Sequence, residues 1–102
     1  MRLTKKLMFA IEAVLDIAYH ASDLPVQSKE IADRQGIPRR YLEQVLQQLV
    51  HAEILRGVRG PRGGYRLAKE RRRITVADIV AVVHDMEGGR DPLTDPAGSE
   101  LG

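Results

Sequence analysis

Residues 28–49 read SKEIADRQGIPRRYLEQVLQQL, the residue order of a helix-turn-helix. Ile31 and Ala32 mark the inward side of a first short helix, and Leu42, Val45, Leu46 and Leu49 recur at helical spacing in a second. Between them, Gly36 stands just past the end of the first helix, where a positive φ is needed and a Cβ would clash. Ala32 is small enough to let two helices cross closely, Ile37 plugs the corner, and Pro38 suits the first position of the second helix, which needs no backbone N–H. An ordinary helical hairpin would share this pattern, so the flanking sequence has to decide.

Upstream, Leu3 to about Tyr19 predicts a long helix with Leu7, Ile11, Val14 and Ala18 on one stripe and Met8 and Leu15 broadening it. Arg2, Lys5 and Lys6 open this helix at the end its dipole makes unfavourable for cations, so they either face phosphate or are simply solvated. Pro25 stops the helix within the turn at Asp23 to Val26. Ser28 then suits the cap of the next helix.

The third helix, predicted from about Pro38 to Ala52, carries Arg39, Arg40, Glu43, Gln44 and Gln47 on its polar face. Arg donors match guanine edges, amide side chains pair with adenine, and a carboxylate accepts from a cytosine amino group. These five form the candidate base-reading set. Tyr41 either reaches a phosphate or packs against the following hairpin.

That hairpin is signalled by Ile54 to Ala68, ILRGVRGPRGGYRLA, two short β-prone runs around a turn of Gly60, Pro61, Arg62, Gly63 and Gly64. The turn has no Walker-type Lys-Ser/Thr and no helix start behind it, which argues against a nucleotide-phosphate loop. A hairpin directly after a recognition helix is a wing, and its arginines suit a narrow minor groove or the sugar-phosphate backbone. The candidate backbone and minor-groove set is Arg2, Lys5, Ser28, Tyr41, Arg56, Arg59, Arg62 and Arg66. Residues 69–73 read as a solvated linker, with Arg71, Arg72 and Arg73 as weaker phosphate contacts. Thr75 and Asp78 approximate a capping box for a last helix buried through Val76, Ile79, Val80 and Val83, extended by Met86 and stopped by Gly88 and Gly89.

At 102 residues the chain fits one small domain: a winged helix-turn-helix over 1–87, mainly α with a small β-hairpin, then a flexible acidic Pro/Gly tail over 88–102. The net charge of +2 hides an asymmetry: residues 1–73 hold 15 Lys and Arg against 8 Asp and Glu, whereas residues 74–102 hold 1 against 6. The basic part is the part with the reading elements, as a polyanion partner requires. The absence of Cys excludes disulfides, thiolate metal sites and cysteine-ligated iron–sulfur clusters within these residues, so no cofactor is expected here. His20, His51 and His84 fall on three different helices without ligand spacing, and no catalytic pair of carboxylates emerges. No apolar run approaches the roughly 18 residues of a membrane span, and no secretion signal opens the chain, so a cytoplasmic protein is expected.

The ordered set MRLTKK, IADRQGI, YLEQVLQQL, RGPRGGYRL and ITVADIV resembles the Rrf-two family of bacterial winged-helix transcription regulators, which includes iron–sulfur regulators. The pairing of Tyr41-Leu42-Glu43-Gln44 with Arg59-Gly60-Pro61-x-Gly63-Gly64-Tyr65 carries the likeness, which extends from residue 1 to about 86. The resemblance implies a dimeric regulator of promoter DNA, usually a repressor, with its third helix in the major groove and its wing in the adjoining minor groove. It implies base contacts at Glu43 and Gln44 and minor-groove insertion of Arg59. Arg40 departs from the small polar residue of the iron–sulfur members, which leaves the sequence read at that point open. The three Cys and the long pairing helix of those members are absent from this chain.

The expected function is a sequence-specific DNA-binding regulator on a near-palindromic operator, with a homodimer in the full regulator. The alternative is a winged-helix protein-interaction module with only non-specific nucleic-acid attraction. An RNA-binding role is disfavoured by the shortage of aromatics for base stacking.

Overall fold

In a computed structural model, which describes residues 4–22 and 24–87, four helices and one hairpin surround a single core. The order is α1 (Lys5–His20), α2 (Ser28–Gln35), α3 (Arg39–His51), β1 (Leu55–Val58), β2 (Gly64–Leu67), a short 3-10 turn (Arg71–Arg73) and α4 (Val76–Met86). The chain is therefore a winged helix-turn-helix, mainly α with a small hairpin. Leu3 and the 88–102 tail, with the expected Gly88-Gly89 stop, lie outside the described residues.

α1 begins at Lys5, two residues after the expected start, because Thr4 caps it: Thr4 Oγ1 accepts from the Leu7 N–H at 3.1 Å. Its buried face also differs from the expected stripe. Ala10, Ala13 and Ile17 are fully buried beside Leu7 and Val14, while Met8 and Leu15 are 46% and 57% exposed. Ile11 and Ala18 are only half-buried. The alanines mark where α1 approaches its neighbours most closely, so small residues define this face better than large ones do.

Gly36 has φ 66°, and its N–H bonds the Ala32 carbonyl at 2.9 Å, closing α2 as its position suggested. Two capping expectations shift by one residue. Gln27, not Ser28, is the N-cap of α2 and makes no side-chain cap bond, which leaves Ser28 inside the first turn. Pro38 is the N-cap of α3 rather than its first helical residue, with an extended ψ of 129° that only a half-in residue adopts. α3 buries Leu42, Val45, Leu46 and Leu49 as expected.

The end of α3 holds backbone strain that the sequence did not reveal. Glu53 has φ 64° in a helix-ending motif where its N–H bonds Val50 O at 3.0 Å and the Ile54 N–H bonds Leu49 O at 2.9 Å. Glycine is the usual residue there, because a Cβ costs about 1–2 kcal/mol in the left-handed region. Glu53→Gly is expected to stabilise the fold by about 1 kcal/mol, read as a higher urea midpoint at unchanged slope. An unchanged or lower midpoint would show that the strain is relieved elsewhere.

The wing strands pair in antiparallel register, Leu55 with Leu67 through Val58 with Gly64. A single bridge fastens the hairpin to the α1–α2 connection: Val26 N–H to Tyr65 O at 3.0 Å and Tyr65 N–H to Val26 O at 2.8 Å. The expected solvated linker before α4 contains the 3-10 turn, with all three of its arginines exposed. Thr75 and Asp78 form the full capping box, at 3.1 and 3.0 Å. α4 then buries Ile79, Val82 and Val83 against α1 and α3. Val76 is instead 52% exposed and Val80 half-buried, because the packed face follows the 79, 82, 83 spacing and leaves the first turn outside it.

Candidate nucleic-acid interface

On α3, positions 40, 43, 44 and 47 share one stripe, since residues three and four apart stack on a helix face. Arg40, Glu43, Gln44 and Gln47 line an open cleft of about 440 Å³, whose other walls are Ser28 of α2 and Tyr65 of β2. Four of the five expected base-reading residues therefore meet in one place. Arg39 is not among them; its Nε lies 3.5 Å from Glu43 Oε2 in an ion pair on the flank of the helix.

Tyr65 is a cleft residue that the sequence reading missed. Its backbone carries the bridge to Val26, and the residue forms one wall of the cleft opposite α3. Period-2 alternation along β2 was the available signal, since it puts Tyr65 and Leu67 on the same, inward side of the wing.

Two of the residues expected to contact the DNA backbone have partners within the fold. Tyr41 donates its hydroxyl to the Lys6 carbonyl at 3.0 Å, and its ring lies 6.1 Å from that of Phe9. It is half-buried, and burial, followed by the Glu87 charge, pushes its phenol above the ordinary value. It thus ties α3 to α1. Arg66 donates from Nη1 to the Ser22 carbonyl at 2.8 Å, so part of its guanidinium is committed to holding the wing against the α1–α2 connection.

The remaining basic residues stay on the surface. Lys5 is exposed at the start of α1, and Arg56, Arg59 and Arg62 are exposed along the wing, with Gly60 and Pro61 at its tip. Arg2 lies outside the described residues. Arg56 stands directly across the hairpin from Arg66, a pairing of like charges that destabilises a sheet unless an anion or a carbonyl compensates it.

Behind the interface, Asp16 is the buried charge that no sequence pattern announced. Its side chain is 0% exposed and accepts from Arg34 Nε at 2.9 Å, Arg34 Nη2 at 2.8 Å and Gln35 Nε2 at 2.8 Å. Burial pushes this carboxyl up, but the hydrogen bonds from Arg34 and Gln35, with the charges of Arg34 and His20, outweigh it and hold the pKa below the ordinary value. The cluster fastens the last turn of α2 to α1 and so sets the pose of the helix-turn-helix.

A two-stranded wing following a helix-turn-helix, with a polar stripe on the second helix of that motif, defines the winged-helix class. The chain belongs to the Rrf2 family, whose description is iron-dependent transcriptional regulator and whose pattern matches residues 3–97. It is 45% identical over 85 residues to the transcriptional regulator IscR of Photobacterium profundum, covering 83% of this chain and 49% of that protein. IscR of Vibrio cholerae is 42% identical over the same span and share. The chain thus spans about half the length of the curated relatives it matches.

Among solved structures, T. potens IscR superposes with a TM-score of 0.75 at 41% identity, over 81% of this chain and 61% of that one. CymR, the global cysteine regulator of B. subtilis, gives 0.75 at 29% identity, over 80% and 64%. These relatives are regulators and not enzymes. The 102 residues contain no Cys to ligate an iron–sulfur cluster, and no three His, Asp or Glu side chains converge among the described residues. No helix among the described residues is long and apolar enough to cross a membrane.

Proposed function

We propose that this chain is the DNA-reading part of a cytoplasmic transcriptional repressor. In this reading α3 enters the major groove with Arg40, Glu43, Gln44 and Gln47 toward base edges, and the wing lays Arg59 and Arg62 along the adjoining minor groove. The observation that carries it is the shared cleft. One helix stripe presents an Arg, a carboxylate and two amides, flanked by Ser28 and Tyr65, and this inventory matches the donors and acceptors of base pairs. Protein-binding faces usually bury an apolar centre, whereas this cleft is lined by five polar or charged residues and one tyrosine.

The operator expected is a near-palindrome, with half-sites one or more helical turns apart, read by two copies of the chain. Glu43→Ala is expected to cost about 1–3 kcal/mol on the preferred duplex and to relax the choice of base at one position. Arg59→Ala weakens binding and removes any preference for a narrow A·T-rich minor groove. Fluorescence anisotropy on matched and altered duplexes measures both. If each variant bound every duplex as the parent does, the assignment of this reading surface would be wrong.

A further inference from the structure

Arg39 and Arg40 occupy the first turn of α3, which contains no acidic residue, although a helix N-terminus favours negative charge. Arg40 lines the cleft. Arg39 does not line the cleft and points to Glu43 instead, with Nε 3.5 Å from Oε2. As a stabilising device this pair is poorly built. Acid before base is the favourable order for helix residues four apart, and here the base comes first. Both side chains remain more than half exposed, at 57% and 55%, so solvent screening leaves the pair little weight in folding. What the pair does is set a guanidinium beside one oxygen of a carboxylate that lines the cleft.

We propose that Arg39 is a positioning residue for base recognition: it holds Glu43 so that the second oxygen, Oε1, accepts from the N4 amino group of a cytosine. This rests on the DNA-reading function proposed above. A lone carboxylate entering the groove is repelled by the phosphates and must shed its water. Paired within its own helix, it enters as a nearly neutral unit with one oriented acceptor. Cytosine fits better than adenine, because adenine sets its N7 acceptor beside the N6 donor and repels a carboxylate, whereas cytosine shows only the donor. The two neighbouring arginines then divide the work: Arg40 meets the DNA, and Arg39 acts through Glu43.

Parallel selections from a random duplex library test this, using the 102-residue parent, Arg39→Ala, Arg39→Lys, Glu43→Ala and the Arg39→Ala/Glu43→Ala double variant. The parent is expected to enrich cytosine at one position, and Glu43→Ala to lose that enrichment. Arg39→Ala should reduce it by about fivefold or more at the same position and nowhere else. The double variant should match Glu43→Ala alone, and Arg39→Lys, which keeps the charge, should recover most of the preference. Thermal midpoints should be unchanged in the Arg39 variants, since the pair is exposed. A profile for Arg39→Ala like the parent's, or one changed at a different base pair, would overturn the proposal. No enrichment by the parent, or a Glu43→Ala profile identical to it, would instead remove the DNA-reading assignment, and this proposal with it.

Discussion

Asp16→Ala is expected to destabilise the fold by about 3 kcal/mol, the low end of the cost of leaving one partner of a buried ion pair alone. The low end applies because Arg34 is 35% exposed and can recover some hydration, while Asp16 itself has none to lose. Asp16→Asn keeps the shape without the charge and should fall between the two. The same residue sets an acid limb in the stability profile. Its folded pKa is depressed, so its contribution is fully present above the unfolded value of about 3.8 and is lost as pH falls through the lower folded value. Urea unfolding of parent and Asp16→Ala between neutral pH and pH 2 measures this, and the gap between them should close toward the acid end. A neutral-pH gap under 1 kcal/mol, or one that does not depend on pH, would show that α1 and α2 are held by their apolar contacts alone.

Gly64→Ala is the second large effect. A Cβ at residue 64 meets the carbonyl carbon and oxygen of Val26 and lies 3.1 Å from the Gln27 nitrogen, all of them backbone atoms that cannot swing aside. Relief requires the wing to withdraw from Val26, which breaks the two bonds of the bridge at Tyr65. Overpacking at about 1–3 kcal/mol and two hydrogen bonds at about 1 kcal/mol each put the total at about 3–5 kcal/mol. The displaced hairpin also carries Tyr65 away from the cleft, so DNA affinity should drop beyond what unfolding explains. Gly57→Ala, in the partner strand, is the control: nothing lies within 4 Å of its added Cβ and its φ is not positive. Equal behaviour of the two variants in denaturation and binding would contradict the packing described for the wing.

The features that were legible in the sequence are those fixed within a few residues. Gly36, the Leu42 to Leu49 stripe, the wing turn and the Thr75–Asp78 box each depend on a short window, and each is found in place. What depends on distant partners was not legible. Asp16 and Arg34 are eighteen positions apart, and no periodicity links an acid on one helix to a base on the next. The tyrosines show the same limit: Tyr41, beside the reading residues in sequence, turns back to Phe9 and Lys6, while Tyr65, in the wing, reaches the cleft. Arg39 and Arg40 look equivalent as letters. The helix rotates them by about 100° from each other, which puts only Arg40 on the stripe with Gln44 and Gln47.

The central claim is that the α3 stripe and the wing read DNA sequence. Selection of bound duplexes from a random library by the unaltered 102-residue chain, at moderate salt to suppress non-specific attraction, tests it most directly. The account predicts an enriched sequence, either a single half-site or two inverted copies about a helical turn apart. Binding that enriches nothing and simply fades as salt rises would contradict it, leaving a basic winged helix attracted to phosphate alone.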